Sequence, residues 1–325
     1  MADPDGRFTL WGIEVFLAAA EEGAISAAAR RLGASPSAIS QQLSGLEAAL
    51  GAVLLDRSTR PMQITPAGAI FRKHAQTMIN AAAEARAELA LTDMSGLTTL
   101  RLGMIEDFDA DVTPRLLTSL ATDLRGCRFL LETGASHRLL DGLEARALDI
   151  VVAADTGTDL AADADWIEVH PLLVEPFVVV APVAAIQQST DTAAQLQTLP
   201  LIQYSARHHM GRLIGTHLAR QNLRLAHRYE IDSYSAILAM VAAGTGWTIL
   251  TPLAVQTAPH LHAMITVMPM PYAPLDRRIS LSARTGVLQA IPTQVAATLR
   301  DLLQTRVVAP SLAAMPWLKD TLRVL

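Results

Sequence analysis

The stretch ASPSAISQQLSGLEAALG, Ala34 to Gly51, carries two opposed stripes when it is wound at helical spacing. Ile39, Leu43, Leu46 and Leu50 fall on one side, the period of a helix that packs on a core. Ser37, Ser40, Gln41 and Ser44 fall on the other. A face turned only to water is normally rich in Glu, Lys and Arg, whereas serine weakens a helix and is usually spent on caps. Small hydroxyls and amides suit a helix that must sit deep in a groove and still exchange hydrogen bonds with base edges. The bland alternative is a tolerated exposed face.

The flanking punctuation supports the first reading. Thr9 is placed to cap a helix with Leu10, Ile13, Phe16, Leu17 and Ala20 on one side, and Gly23 closes it. Ser26 is expected to cap a second helix that Gly33 ends, and Ser35 a third with Pro36 in its first turn, where a missing N–H costs nothing. Two helices joined by a short glycine turn match a helix-turn-helix, whose later helix enters the major groove. The segment VLLDRSTRPMQIT then predicts two short strands around a turn at Ser58 to Pro61, a wing carrying Arg57 and Arg60.

The chain has 325 residues, 51% hydrophobic and 18% charged, enough for two or three globular domains. A formal net charge of −5 gives no general affinity for polyanions, so any nucleic-acid contact must be a local patch. Cys127 is the single cysteine, which excludes an intramolecular disulfide and disfavours a cysteine metal site. The first residues do not read as a secretion signal. Ser233 to Leu275 contains no Asp, Glu, Lys or Arg, but Gly244, Gly246, Pro252 and Pro259 cut it below the roughly 20 residues that a spanning helix needs. The expected location is the cytoplasm, with no membrane partner.

Near residue 95 the grammar changes. Helical patterns give way to extended apolar runs such as TLRLGMI, DIVVAA, PFVVVAP and WTILTP alternating with helices, so an all-helical module precedes an α/β domain. Thr92 to Gly96, TDMSG, is the expected hinge. Thr65 and Pro66 open a long Ala-rich helix to about Leu91, with Ala67, Ile70, His74, Met78, Ala81, Ala85 and Leu89 near one line. A helix this long has no core of its own, and a dimer seam through Ile70, Met78, Ala81 and Ala85 is expected, with His74 at its edge rather than a ligand.

The run FLAAAEEGAISAAARRLGASPSAISQQLSGLEAALGAVLLDRSTRPMQITPAG, Phe16 to Gly68, resembles the winged helix-turn-helix of the LysR-type transcriptional regulators. The resemblance implies double-stranded DNA as partner. Carried across position by position, it makes Ser35, Pro36, Ser37, Ser40 and Gln41 candidates for base or phosphate contact, with Arg30, Arg31, Arg57 and Arg60 on the backbone. It departs where the family often has Gln in place of Pro36 and Arg in place of Gln41 and Ser44, so the operator sequence does not follow.

The same resemblance implies a second, two-lobed α/β domain of periplasmic-binding-protein architecture that holds a small-molecule effector. It also implies a homodimer or homotetramer, RNA polymerase as a candidate partner, and no cofactor. The expected layout is residues 1–65 for the winged helix-turn-helix, 66–91 for the linker helix, 92–98 for the hinge, 99–305 for the effector domain and 306–325 for a C-terminal extension. Within the effector domain, lobe 1 is expected at about 99–160 and 268–305 and lobe 2 at about 161–267, with crossings near Gly157 to Ala164 and Ile265 to Met268.

Ligands in open α/β sheets sit beyond the carboxyl ends of strands and facing helix N-termini. Ser136 in TGASHRLL and Ser233 in EIDSYSAIL fit that rule, with Met104, Ile105, Glu106, Tyr204 and Thr251 as further effector-site candidates. Simple N-capping is the alternative for the two serines. Glu106, Asp107, Asp109 and Asp111 in IEDFDAD either face the cleft, favouring an amine or amino acid, or face water. His260 and His262 alternate as on a strand but lack a third ligand, and His208 and His209 in RHHMG read as a helix start or pocket wall. Trp317, Leu318, Leu322 and Leu325 predict a short amphipathic helix, folded back or in an oligomer contact. Two other function classes stay open: a solute-binding or sensor protein whose helical module only dimerises, and an enzyme, disfavoured because no nucleophile, base and orienter set is readable.

Overall fold

Thr9 starts α1 (Leu10–Glu22) through its hydroxyl, which accepts from the Gly12 amide at 3.0 Å, and Gly23 ends it with φ 64°. In this computed structural model, which describes residues 7–90, 97–155, 166–186, 191–223, 225 and 227–325, α2 runs Ile25–Leu32 and α3 Pro36–Leu50. Ser26 does not cap α2. The left-handed Gly23 lets Ala24 extend, and Ala24 takes the N-cap position ahead of the expected serine. Gly33, φ 64°, makes the turn into α3, and the Ser35 hydroxyl caps that helix by accepting from the Ala38 amide at 3.2 Å. Ile13, Phe16, Ala19, Ala29, Ile39, Leu43 and Leu46 fill the core between the three helices.

β1 (Leu55–Asp56) and β2 (Gln63–Ile64) pair antiparallel to form the wing. The long α4 (Pro66–Ala90) follows, and Phe71 packs on Phe16 with ring centroids 5.4 Å apart. Gly68 is required where α4 starts, because a Cβ there would lie 2.1 Å from the Leu54 carbonyl oxygen. The expected hinge at Thr92 to Gly96 lies outside the described residues.

By internal contacts the chain divides into two compact units, residues 1–97 with 144–147, and residues 98–143 with 148–325. The second unit contains β3 (Thr99–Met104), α5 (Val112–Asp123), β4 (Arg128–Thr133), α6 (Ser136–Glu144), β5 (Ile150–Ala154) and β6 (Ile167–Pro176). These are followed by β7 (Val178–Pro182), α7 (Thr192–Gln197), β8 (Leu201–Tyr204), α8 (His209–Arg220), β9 (His227–Ile231), α9 (Tyr234–Ala242), β10 (Thr248–Leu250), α10 (Pro252–Gln256) and β11 (Ile265–Pro269). The chain closes with β12 (Asp276–Arg284), α11 (Ile291–Leu303), α12 (Ala309–Ala314) and β13 (Arg323–Val324).

Lobe 1 is built on a six-stranded sheet in the order β13-β6-β12-β5-β3-β4, parallel at β4-β3-β5 and antiparallel elsewhere. Lobe 2 is built on β10-β7-β11 and the parallel pair β8-β9, joined where the Ile202 amide donates to the Trp247 carbonyl at 2.8 Å. The lobe boundaries differ from the expectation. β6 belongs to lobe 1, so the chain first crosses at Phe177, and it returns between Pro269 and Asp276 because β11 is still paired with β7. The expected first crossing, Gly157 to Ala164, falls outside the described residues. β6 and β7 form one extended apolar run, and nothing along such a run marks which sheet each half joins. The two passes lie side by side, with the Phe177 amide donating to the Leu275 carbonyl at 2.8 Å.

The C-terminal extension folds back on lobe 1. Trp317 to Leu325 does not form the expected amphipathic helix: after one tight turn at Pro316–Leu318, β13 adds to the edge of β6, pairing Arg323 with Val174 and Val324 with Leu173. Leu318 and Leu322 are buried, and Arg300 clasps the strand by donating to the Leu325 and Pro171 carbonyls, both at 2.7 Å. His260 lies in a 3₁₀ turn, Pro259–Leu261, rather than on a strand, and the ring of His262, just past that turn, meets the Val255 carbonyl. Among the described residues no group of three or more His, Cys, Asp or Glu could hold a metal ion, and no helix is long and apolar enough to cross a membrane.

Candidate functional site

Two surfaces carry chemistry, one in each unit. On α3, Ile39, Leu43 and Leu46 are buried while Ser35, Pro36, Ser37, Gln41 and Ser44 are exposed and Ser40 is half-buried. The Ser35 and Ser37 hydroxyls lie 3.0 Å apart, so part of their bonding capacity is already spent locally. The arginines divide into two kinds. Arg57 donates to Glu47 at 2.6 Å and to the Ser44 hydroxyl at 3.2 Å, and Glu47 also accepts the Leu54 and Leu55 amides. Arg57 therefore ties the wing to α3 instead of presenting a free charge. Arg31 is paired with Glu21 and Glu22. The side chains of Arg30 and Arg60 are exposed, with no hydrogen bond or ion pair to the described residues, and of these four arginines they are the ones open to a phosphate.

The proposed seam on α4 is uneven. Ile70 is 67% exposed and Ala85 is exposed, Ala81 is half-buried, and Met78 packs on the core of its own module. His74 is exposed.

The second surface is a cleft of about 310 Å³ between the lobes of the second unit. Ile105, Glu106, Asp107 and Ser136 line it from lobe 1, and Tyr204, His208, His209, Met210, Asp232 and Tyr234 from lobe 2. Of the sequence candidates, Ile105, Glu106, Ser136 and Tyr204 reach it. Met104 is wholly buried one residue behind. Ser233 spends its hydroxyl on the Ala236 amide, while its neighbours Asp232 and Tyr234 face the cleft. Thr251 is buried beneath the floor, capping α10. The Ser136 hydroxyl accepts from the Ala154 amide at 3.1 Å, which leaves its own proton to donate.

The floor holds a cluster the motifs did not reveal. Arg277, on β12, donates to Asp107 at 2.6 Å, to Glu175 at 3.3 Å and to the Thr251 hydroxyl at 3.3 Å; the three ionisable side chains Arg277, Asp107 and Glu175 are 7%, 4% and 0% exposed respectively. Burial pushes the Glu175 carboxyl above its usual range, against the pull of Arg277. Tyr204 and Tyr234 stack at 5.1 Å, and burial raises the Tyr204 hydroxyl to about 12. Burial also lowers the His209 ring, with Arg212, His137 and Arg277 adding to the effect, so His209 favours its neutral form. Of the acids in IEDFDAD, Glu106 and Asp107 face the cleft, Asp109 is held above its usual range by burial and by Glu106, and Asp111 pairs with Arg115 and Arg306 on the outside.

Residues 10–69 match the family model described as "Bacterial regulatory helix-turn-helix protein, lysR family", and residues 96–307 match "LysR substrate binding domain". A "Probable hydrogen peroxide-inducible genes activator" of Mycobacterium xenopi is 35% identical over 184 residues, 56% of this chain and 94% of that one. Its counterpart in Mycobacterium avium is 35% identical over 182 residues, which span 56% of this chain and only 57% of that protein's length. The solved structure of a full-length, singly substituted OxyR from Pseudomonas aeruginosa superposes with a TM-score of 0.68 at 23% identity, covering 90% of this chain and 95% of that one, a likeness of fold.

Proposed function

Because this chain belongs to the LysR family and is a DNA-binding transcription regulator with an effector-binding domain, we propose that it reads its operator with the Ser40 and Gln41 face of α3 and takes its effector in the cleft between Ser136 and Tyr204. The observation that carries the DNA half is the exposed stripe of hydroxyl and amide side chains on a helix whose opposite face is locked into the core. Arg30 and Arg60 supply backbone charge, and Arg57 acts by holding the wing. The protein works in the cytoplasm, beside its DNA, and performs no catalysis. It pairs through Ile70 and Ala85 of α4, since two recognition helices about 34 Å apart match two half-sites.

The test is fluorescence anisotropy with the DNA upstream of its own gene against random duplex. Ser40→Ala or Gln41→Ala should lower operator affinity by about 1–3 kcal/mol and leave random binding nearly unchanged, because base contacts specify. Arg30→Ala and Arg60→Ala should weaken both together and flatten the salt dependence. Proportional losses in all four variants would remove α3 from the groove.

We infer that the peroxide link in the mycobacterial relatives' name does not carry over to this chain through its thiol. A disulfide within one chain needs two thiols and Cys127 is alone, and burial, with Asp149 adding, pushes that thiol up, away from the thiolate that oxidants attack. Stoichiometric hydrogen peroxide should leave operator affinity within about twofold; a larger change reversed by dithiothreitol would overturn this and assign Cys127 a redox role.

A further inference from the structure

We propose that the effector is a zwitterion of the amino-acid class, with its ammonium on the Glu106 and Asp232 side of the cleft and its carboxylate between Arg277 and the Ser136 end of α6. The proposal rests on the cleft being the effector site and adds the chemistry of its occupant.

Charge decides the first half. The lining holds three carboxylates, Glu106, Asp107 and Asp232, against one guanidinium, Arg277, and Arg277 is already engaged by Asp107 and by Glu175 below. A dianion or a simple carboxylate entering alone meets a surplus of negative charge, whereas an ammonium is attracted.

An unmet donor decides the second half. Arg277 lines the cleft with its side chain 7% exposed, and its Nε has no acceptor among the described residues. Buried donors are ordinarily satisfied, and this one is closed to solvent, so a ligand's acceptor meets it when the Arg277 side chain shifts toward the cleft. On the same lobe the Ser136 hydroxyl also lines the cleft and has a proton to give, at the first turn of a nine-residue helix whose dipole favours negative charge. A cleft of 310 Å³ lies at the lower end of small-molecule pockets, roughly 300–1,000 Å³, which limits the occupant to metabolite size. A simple amine would leave Arg277 Nε unanswered, and a simple acid would leave the carboxylates uncompensated.

The test uses the full-length chain, with isothermal titration calorimetry against a panel of α-, β- and ω-amino acids, each paired with its decarboxylated amine and its desamino acid. At least one amino acid should bind, with both partners at least about tenfold weaker. Glu106→Gln should weaken that amino acid at least about tenfold. Ser136→Trp should abolish binding, with Leu213→Trp from the opposite wall as a second blocking variant if the first fails to fold. If a decarboxylated amine or a desamino acid binds as tightly and is blocked by the Trp variants, the cleft stands as effector site and the zwitterion is overturned. Binding that survives both Trp variants removes the cleft itself. A panel with no binder overturns the zwitterion.

Discussion

Arg277→Met should destabilise the effector domain by about 3–5 kcal/mol, the usual cost of leaving buried charge without its partner. Asp107 and Glu175, 4% and 0% exposed, both depend on that one guanidinium. The loss should also depend on pH. Burial already holds the Glu175 carboxyl above its usual range, and losing Arg277 removes the pull that opposes this, so the folded state binds more protons than the unfolded one and stability falls as pH rises through that window. Urea denaturation at about pH 5, 6.5 and 8 should give a deficit that grows with pH, and adding Asp107→Asn should recover part of it. A deficit under about 1 kcal/mol, or one flat in pH, would mean that water reaches the cluster and the charges are screened.

The double substitution Leu318→Ala with Leu322→Ala should cost at least about 4 kcal/mol, since each buried Leu→Ala removes about 2–5 kcal/mol and the two share a neighbourhood in which effects need not add. Both side chains are buried and hold the segment that carries β13 onto β6. Loss of β13 opens the β6 edge, an invitation to pair with another chain. Denaturant midpoints and static light scattering should therefore move together. Trp317→Ala, at a site 38% exposed, serves as control and should stay within about 1 kcal/mol. Unchanged stability in the double variant would mean that the extension only rests on the sheet.

The winged helix-turn-helix was legible because its determinants are local. Thr9, Gly23, Gly33, Ser35 and Pro36 each act within a few residues of themselves, and the stripe of Ile39, Leu43 and Leu46 is a single period. The pairing of Arg57 with Glu47 was not legible, since it depends on how the wing returns to α3. Leu318 and Leu322 stand one helical turn apart, yet the segment ends in a strand because the open edge of β6 offers more hydrogen bonds than one isolated turn. In the cleft, Ile105, Glu106, Ser136 and Tyr204 were reachable from the rule that ligands sit beyond strand ends. Arg277 and Glu175 were missed, although one signal existed: Glu175 is a lone charge inside the apolar run PLLVEPFVVV, and a charge in such a run demands a buried partner.

The position of β12 has a consequence for synthesis on the ribosome. Lobe 2's strands, β7 to β11, follow one another without interruption, so that lobe can close its sheets from contiguous chain. Lobe 1 cannot, because β12 lies between β5 and β6 and is the last of the three to be made. From the appearance of Pro176 to that of Arg284, roughly 5–20 s at about 5–20 residues per second, β5 and β6 wait with the edges that will flank β12 unpaired. The nascent chain passes that interval with its first-made sheet split down the middle and its later-made lobe already foldable, so the period of greatest exposure to misassembly ends only as Asp276–Arg284 slots home.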